Sequence, residues 1–345
     1  MNMNRIYQLM KLNRAIKSHR VKFAGILLLH ILKLRYLCLR FDPIIACNLS
    51  CQMCYFSDKE FRKNNKGTFK SDEIERLAKM FFPRTLQVVF GCGAEPTLYK
   101  DFPKLIKLAK SYGVPYVGLV SNGQLIKEEH IRELVNYGLD ELLLSVHGVR
   151  KTTYENLMTN SNYEKFHAVL NSFNSIKSEL GSSTPTLRLN YTVNPDNLEE
   201  LSDFFKVYGN YNINTLQVRP IMDIGQSGYR NLTLDRYIDN YNNAIDRLSN
   251  SCKERGITLL ARTQDPAYKS EQEDYSAAII DSILRYISPQ RVWRTDFDWK
   301  NVTYDEFCQK IGFINSLFKG IVASKEEIIN NNPFKGKLTL TYDVL

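Results

Sequence analysis

From Tyr36 onward, short apolar runs rich in Val, Leu, Ile and Phe alternate with longer stretches whose apolar residues recur every three or four positions. The first kind of run suits a strand buried on both faces, and the second a helix with one apolar face. The pattern predicts strands at 36–45, 85–90, 116–121, 141–146, 187–193 and 216–220. It predicts helices at 71–82, 101–112, 127–137, 163–180, 197–208 and 234–255, one after each strand. Ser71 is expected to cap the first of these, with Asp72 and Glu73 in its opening turn. Six βα units in succession predict an α/β fold with a parallel sheet, a partial (β/α)6 TIM-like barrel, over residues 35–260.

Outside that core the pattern changes. Residues 1–34 read as a basic helical arm, with Ile6, Leu9, Met10, Leu12 and Ile16 near helical spacing before an apolar run from Val21 to Leu34. That run holds Lys22, His30 and Lys33 and is too short to span a bilayer. Residues 261–345 read as a small C-terminal appendage or cap. Trp293 and Trp299 lie in a mixed aromatic and charged segment, and Lys337–Val344 alternates like a strand. A packed appendage is the favoured reading over a substrate cap or partner surface.

In a βα barrel the reacting groups sit at the C-terminal ends of the strands. Here the strand ends carry Gly91-Cys-Gly-Ala-Glu-Pro96, Ser121-Asn-Gly123, Ser145-Val-His-Gly148, Asn190-Tyr-Thr192 and Arg219-Pro220. Any one of these is an ordinary turn; five in succession point to one site. His147 has two readings of equal weight, a proton acceptor or substrate ligand, or a hydrogen-bonded turn histidine. The other histidines, His19, His30, His130 and His167, read as core or helix-surface residues.

The loop after the first strand carries Cys47, Cys51 and Cys54, at spacings of four and three. A cubane iron–sulfur cluster takes four cysteine thiolates, so three would leave one iron open to a ligand that is not protein. Zinc is the alternative, but a closed zinc site needs a fourth Cys or His, usually from a second knuckle. No second Cys-x-x-Cys follows, and the first histidine after the run is His130. Cys92 neighbours the same strand ends but reads as small buried filler.

Cys47-x3-Cys51-x2-Cys54 resembles the signature of the radical S-adenosylmethionine (radical SAM) superfamily, with Met53 where an aromatic residue is frequent. Gly93-Ala94-Glu95-Pro96 resembles the family's Gly-Gly-Glu-Pro turn, with Ala94 for the second glycine. The resemblance covers roughly residues 35 to 225. It implies a single [4Fe–4S] cluster on the three cysteines and SAM chelated to the open iron. The backbone around Gly93 and Ala94 would receive the methionine amine of SAM. Ser121 and Asn122 would lie beside its carboxylate and ribose, Ser145 towards SAM, and Asn190 towards the ribose. Arg219 would lie near the adenosine or the substrate. His147 stands where the family often has Asp, which leaves that residue's usual task unassigned.

The implied reaction is reductive cleavage of SAM to methionine and a 5′-deoxyadenosyl radical, which takes hydrogen from a substrate. The implied partners are an external low-potential electron donor and either a peptide or a sugar- or lipid-linked intermediate. A non-catalytic iron–sulfur or zinc protein using the same thiols is the alternative. Of the cysteines beyond residue 260 only Cys308 is present, so no auxiliary cluster is expected there.

Charge changes the picture at one place. The first 40 residues hold nine basic side chains and no Asp or Glu, and the rest of the chain balances 37 basic against 37 acidic. The arm is read as a helix covering the barrel's open end, as an amphipathic helix on an anionic membrane surface, or as a binder of an acidic substrate. The packed helix is favoured for its apolar part, and nucleic acid is not an expected partner. Seven cysteines without a disulfide pattern or signal-peptide cleavage site predict a cytoplasmic, oxygen-sensitive protein, peripheral at the inner membrane face if the arm binds lipid.

Overall fold

The computed structural model describes residues 15–221, 227–229, 235–261, 276–330 and 343–344. The strands, in chain order, begin with β1 (Leu37–Phe41), β2 (Ile44–Ile45), β3 (Gly67–Thr68), β4 (Thr85–Phe90), β5 (Tyr116–Ser121) and β6 (Glu141–Ser145). They continue with β7 (Thr186–Val193), β8 (Ile213–Pro220), β9 (Thr258–Ala261), β10 (Leu284–Ser288), β11 (Arg291–Val292) and β12 (Asp343–Val344). Ten of them form one sheet in the order β11-β10-β1-β4-β5-β6-β7-β8-β9-β12, and β2 pairs with β3 in a separate ribbon.

The six expected strands lie side by side in sequence order and parallel. Apolar side chains such as Leu39, Val88, Leu119, Leu142, Leu189 and Val218 are buried in the main core. Burying each such side chain stabilises the fold by about 1.5–3 kcal/mol. Alternate positions on β7 are Arg188, Asn190 and Thr192, so on this strand the opposite face is polar. That face leads to the site.

Two features depart from the sequence pattern. The first strand ends at Phe41 rather than running to Ile45; Asp42 and Pro43 break it, and β2 turns away to pair with β3. The parallel sheet also runs beyond six strands. β9 pairs parallel with β8, and β10, which lies within the expected appendage, pairs parallel with β1. Most helices follow expectation, for example Ser71–Phe81, Phe102–Ser111 and Tyr163–Glu179, but the helix expected at 197–208 is a 3-10 stretch at Glu199–Asp203 followed by a short α-helix, Phe204–Tyr208. The helix Ser71–Phe81 starts one residue early in its capping. The Lys70 amide donates to Glu73, 3.0 Å away, and Ser71 already lies inside the helix.

The helix His19–Ile31 buries His19, Phe23, Ile26 and His30, which recur at helical spacing. It packs against the helix Phe313–Val322, with the Phe23 ring against Gly320. Its C-terminal end is held where strands begin, not where they end: Arg84, just before β4, donates to the His30 carbonyl at 2.9 Å, and Tyr36, just before β1, meets His30 Nδ1 at 2.9 Å. The described part of the arm, residues 15–34, is therefore a packed helix away from the mouth at which the cysteine loop lies, and residues 1–14 lie outside the described residues. The aromatic segment at 291–299 is packed too. Trp293 is buried with the Arg285 guanidinium 4.0 Å from its ring centre, and Trp299 meets Phe69 edge-on. Most of the tail read as a strand at 337–344 lies outside the described residues; its last two, Asp343 and Val344, pair antiparallel with β9.

Candidate active site

The cysteine loop is fastened from three sides. Arg62, on the short helix Lys59–Asn64, donates to the carbonyls of Cys47 (3.3 Å), Leu49 and Phe56 and to Ser50 Oγ (2.7 Å). The amides of Ser50 and Gln52 donate to the carbonyls of Thr159 and Leu157 at 3.0 and 2.9 Å. Met53 packs with Leu157, Ile221 and Tyr229 in a small apolar cluster. The loop thus keeps its shape through backbone carbonyls held by one cation.

All three cysteine side chains line a cavity of about 250 Å³ at the C-terminal ends of the strands. Burial pushes the Cys47 thiol up to about 12 and raises those of Cys51 and Cys54; the Arg62 guanidinium opposes this at each of them. Buried thiols of this kind are deprotonated by binding a metal group, whose charge then outweighs the desolvation. Among the described residues, no group of three His, Cys, Asp or Glu is arranged to hold a single metal ion. Three soft donors along one cavity wall suit an iron–sulfur cluster with one iron left to a further ligand.

Opposite them is the turn after β4. Asp42, fully buried, accepts from the amides of Cys92 (2.7 Å) and Gly93 (2.9 Å) and from the Tyr286 hydroxyl (2.7 Å). Burial raises its carboxyl, and these donors pull it back. The Tyr55 hydroxyl donates to the Gly93 carbonyl. A Cβ on residue 93 would lie 2.8 Å from that hydroxyl and 3.0 Å from Asp42 Oδ2, so any larger residue there would push on both side chains. Gly91 is required: its φ is +82°, and a Cβ would stand 2.3 Å from the Val120 carbonyl oxygen.

Glu95 joins this turn to the next. Its carboxylate accepts from Ser121 Oγ (2.7 Å), the Asn122 amide (2.8 Å) and Thr97 Oγ1 (2.6 Å), while its own amide donates to the Ala46 carbonyl (2.9 Å). Asn122 reaches the cysteine loop, with Nδ2 2.9 Å from Asn48 Oδ1 and 3.9 Å from Cys47 Sγ. Glu95 and Ser121 are thus occupied in holding three loops together rather than facing a ligand with free groups.

The third wall is made by His147, Thr192, Arg219 and Ser145. His147 Nδ1 lies 3.1 Å from the Thr192 amide and accepts from it, which places the ring proton on Nε2. Burial first, and then Arg219, hold the imidazole down at about 3. The ring is therefore held neutral, with Nδ1 occupied by the Thr192 amide. Arg219 Nε donates to Thr192 Oγ1 at 3.0 Å, and its terminal amino groups have no hydrogen-bond partner among the described residues.

Of the residues expected in the site, Cys47, Cys51, Cys54, Gly93, Ala94, Glu95, Ser121, Asn122, Ser145, His147 and Arg219 line the cavity. Asn190 does not: its Oδ1 accepts from Arg188 Nε at 3.0 Å, and Thr192, two residues on along the same face, takes the place at the mouth. Cys92, read as buried filler, is exposed at the cavity edge. The other histidines are structural: His30 bonds Tyr36, His130 receives the Lys127 amide, and His167 meets the Tyr211 hydroxyl. The sequence reading missed Asp42, Arg62 and Tyr286 as parts of the site; Thr192 stood in one of its strand-end groups without a role of its own.

The thiol-lined cavity lies at the C-terminal ends of parallel strands, where βα-barrel enzymes carry their reacting groups. Residues 43–206 match the family described as the Radical SAM superfamily. Those residues, a little under half of the chain, are similar to that superfamily's domain, whose members use a [4Fe–4S] cluster and SAM. The chain is similar to proteins named "Probable GTP 3′,8-cyclase" from Saccharolobus solfataricus, at 27% identity over 54% of this chain and 58% of that one, and from Sulfolobus acidocaldarius, at 25% over 54% and 56%. The chain thus spans a little over half the length of these relatives. In fold it is similar to Streptococcus suis SuiB bound to S-adenosylmethionine, with a TM-score of 0.61 and 17% identity over 83% of this chain and 68% of that one. It is also similar to anSMEcpe with bound AdoMet, with a TM-score of 0.51 and 20% identity over 64% and 62%.

Proposed function

We propose that Cys47, Cys51 and Cys54 hold the [4Fe–4S] cluster and that SAM lies between it, the Gly93–Ala94 turn and the wall of Ser145, His147 and Arg219. The carrying observation is that all three thiols and these groups line one cavity. When bound, the cluster supplies the electron, drawn from an external low-potential donor, that splits SAM to methionine and a 5′-deoxyadenosyl radical able to take hydrogen from a substrate carbon.

The chain's own residues bind and orient. Asp42 takes the amides of Cys92 and Gly93 and so fixes the turn whose backbone would receive the methionine amine. Arg219 offers terminal N–H groups to a carboxylate or phosphate. His147, neutral through the physiological range, donates from Nε2 without moving a proton. Met53, Met158 and Ile221 make part of the wall apolar, which excludes water from reactive species.

Two substrate classes fit this opening, a peptide or a sugar- or lipid-linked intermediate. SuiB, a neighbour in fold, has been solved with its precursor peptide SuiA. Anaerobic metal analysis tests the cofactor assignment: about four irons and four sulfides per chain are expected, lost in Cys51→Ala. One zinc per chain without sulfide would refute it.

A further inference from the structure

The helix His19–Ile31 is apolar on two sides. The stripe of His19, Phe23, Ile26 and His30 faces the body of the protein. On the opposite side Val21 and Leu28 are each 57% exposed, and Ile31 and Leu32 are each 55% exposed. A helix apolar all round is ordinarily buried all round; this one is not.

Its neighbour repeats the arrangement. The helix Phe313–Val322 buries Phe313, Leu317 and Gly320, while Ile314, Phe318 and Val322, spaced four apart, stand 47%, 57% and 58% exposed. The two helices run antiparallel. His19 Nε2 lies 3.1 Å from the Ala323 carbonyl oxygen at one end, and Ile31 and Ile314 line one surface hollow at the other. The exposed stripes meet at the hollow shared by Ile31 and Ile314, and together they carry seven exposed apolar side chains, enough to require an explanation.

Charge decides what covers it. Arg20, Lys33 and Lys319 are exposed on these two helices or at their ends, Lys33 4.0 Å from Asp305, and Arg5, Lys11 and Arg14 precede the first helix in the sequence with no acidic residue among them. Acidic groups nearby are Asp305, which pairs with Arg84, and Glu326 and Glu327 at the start of the next helix. Apolar side chains flanked by Lys and Arg suit the boundary between anionic headgroups and acyl chains. No described helix is long and apolar enough to cross a membrane. We propose that this two-helix face docks the protein on an anionic lipid surface. The inference is independent of the site chemistry.

Flotation with vesicles tests it, using the full chain with its cluster. With phosphatidylcholine plus phosphatidylglycerol the wild type is expected to float, and with phosphatidylcholine alone to remain behind. Leu28→Glu/Phe318→Glu, changed only at exposed positions, is expected to reduce binding at least about tenfold with iron content and circular dichroism unchanged. Salt at about 0.5 M is expected to weaken wild-type binding. A wild type that floats with neither vesicle overturns the proposal, as does anionic binding that the double substitution leaves intact. A wild-type dimer in solution, split by the same substitution and indifferent to lipid, would assign the face to a second copy instead.

Discussion

The Tyr286 hydroxyl donates to Asp42 Oδ2 at 2.7 Å, joining residues 244 apart in sequence. Through it a strand from the C-terminal part of the chain reaches the turn that borders the thiol-lined cavity, because the same carboxylate holds the amides of Cys92 and Gly93. Removing one donor from a buried carboxylate costs about 1–3 kcal/mol. Tyr286→Phe is expected to lower unfolding stability by that amount and to weaken SAM binding about tenfold at unchanged iron content. Equilibrium SAM binding measures it; affinity equal to wild type would detach Tyr286 from the site.

Arg62 gives the cysteine loop its shape without touching the cavity's contents. Its substitution by Ala leaves carbonyls at Leu49 and Phe56 without their donor. Loss of such an outer partner weakens metal retention about 10-fold to 100-fold. Iron and sulfide content after gel filtration should fall accordingly. Arg62→Lys should rescue it poorly, because one ammonium cannot replace a fork serving four acceptors.

Gly93→Ala should abolish SAM binding, since the new methyl meets the Tyr55 hydroxyl at 2.8 Å and Asp42 at 3.0 Å. In a Tyr55→Phe background the first of these contacts is gone. The penalty of Gly93→Ala measured there should be smaller, a coupling that a double-mutant cycle reads directly.

His147 predicts a pH dependence. Its folded-state value is held down at about 3 against an ordinary 6.5, so below 6.5 the unfolded chain binds a proton that the folded chain does not. The contribution of the neutral ring is complete above about 6.5 and is lost as pH falls from there towards 3. At one pH unit below 6.5 the loss is about 1.4 kcal/mol. Denaturant unfolding of wild type and His147→Gln at pH 7.5 and 5.5 should differ in acid sensitivity by that amount. Equal sensitivity would show that the ring is not buried neutral.

The barrel was legible because its strands are local, apolar and evenly spaced, and the cysteines because three thiols lie within eight residues. The remaining parts of the site are long-range. Tyr286 approaches Asp42 only once β10 has paired with β1, a pairing no local pattern encodes. Asp42 itself sat inside what read as a continuous strand. Arg62 lies on a six-residue helix too short to leave a periodic signal. Asn190 shows the complementary limit. Alternation assigns a residue to a face of the sheet, but it does not say how near the mouth that residue lies or whether a neighbour such as Arg188 has already claimed its side chain.

The central claim is that the three thiols hold a cluster that cleaves SAM. The direct measurement is 5′-deoxyadenosine formed anaerobically after reconstitution with iron and sulfide, with dithionite as reductant, for wild type beside Cys51→Ala. Deoxyadenosine from wild type and none from the variant is the predicted result. An iron-loaded wild type that binds SAM and forms none, even with cell extract supplying substrate, would contradict it.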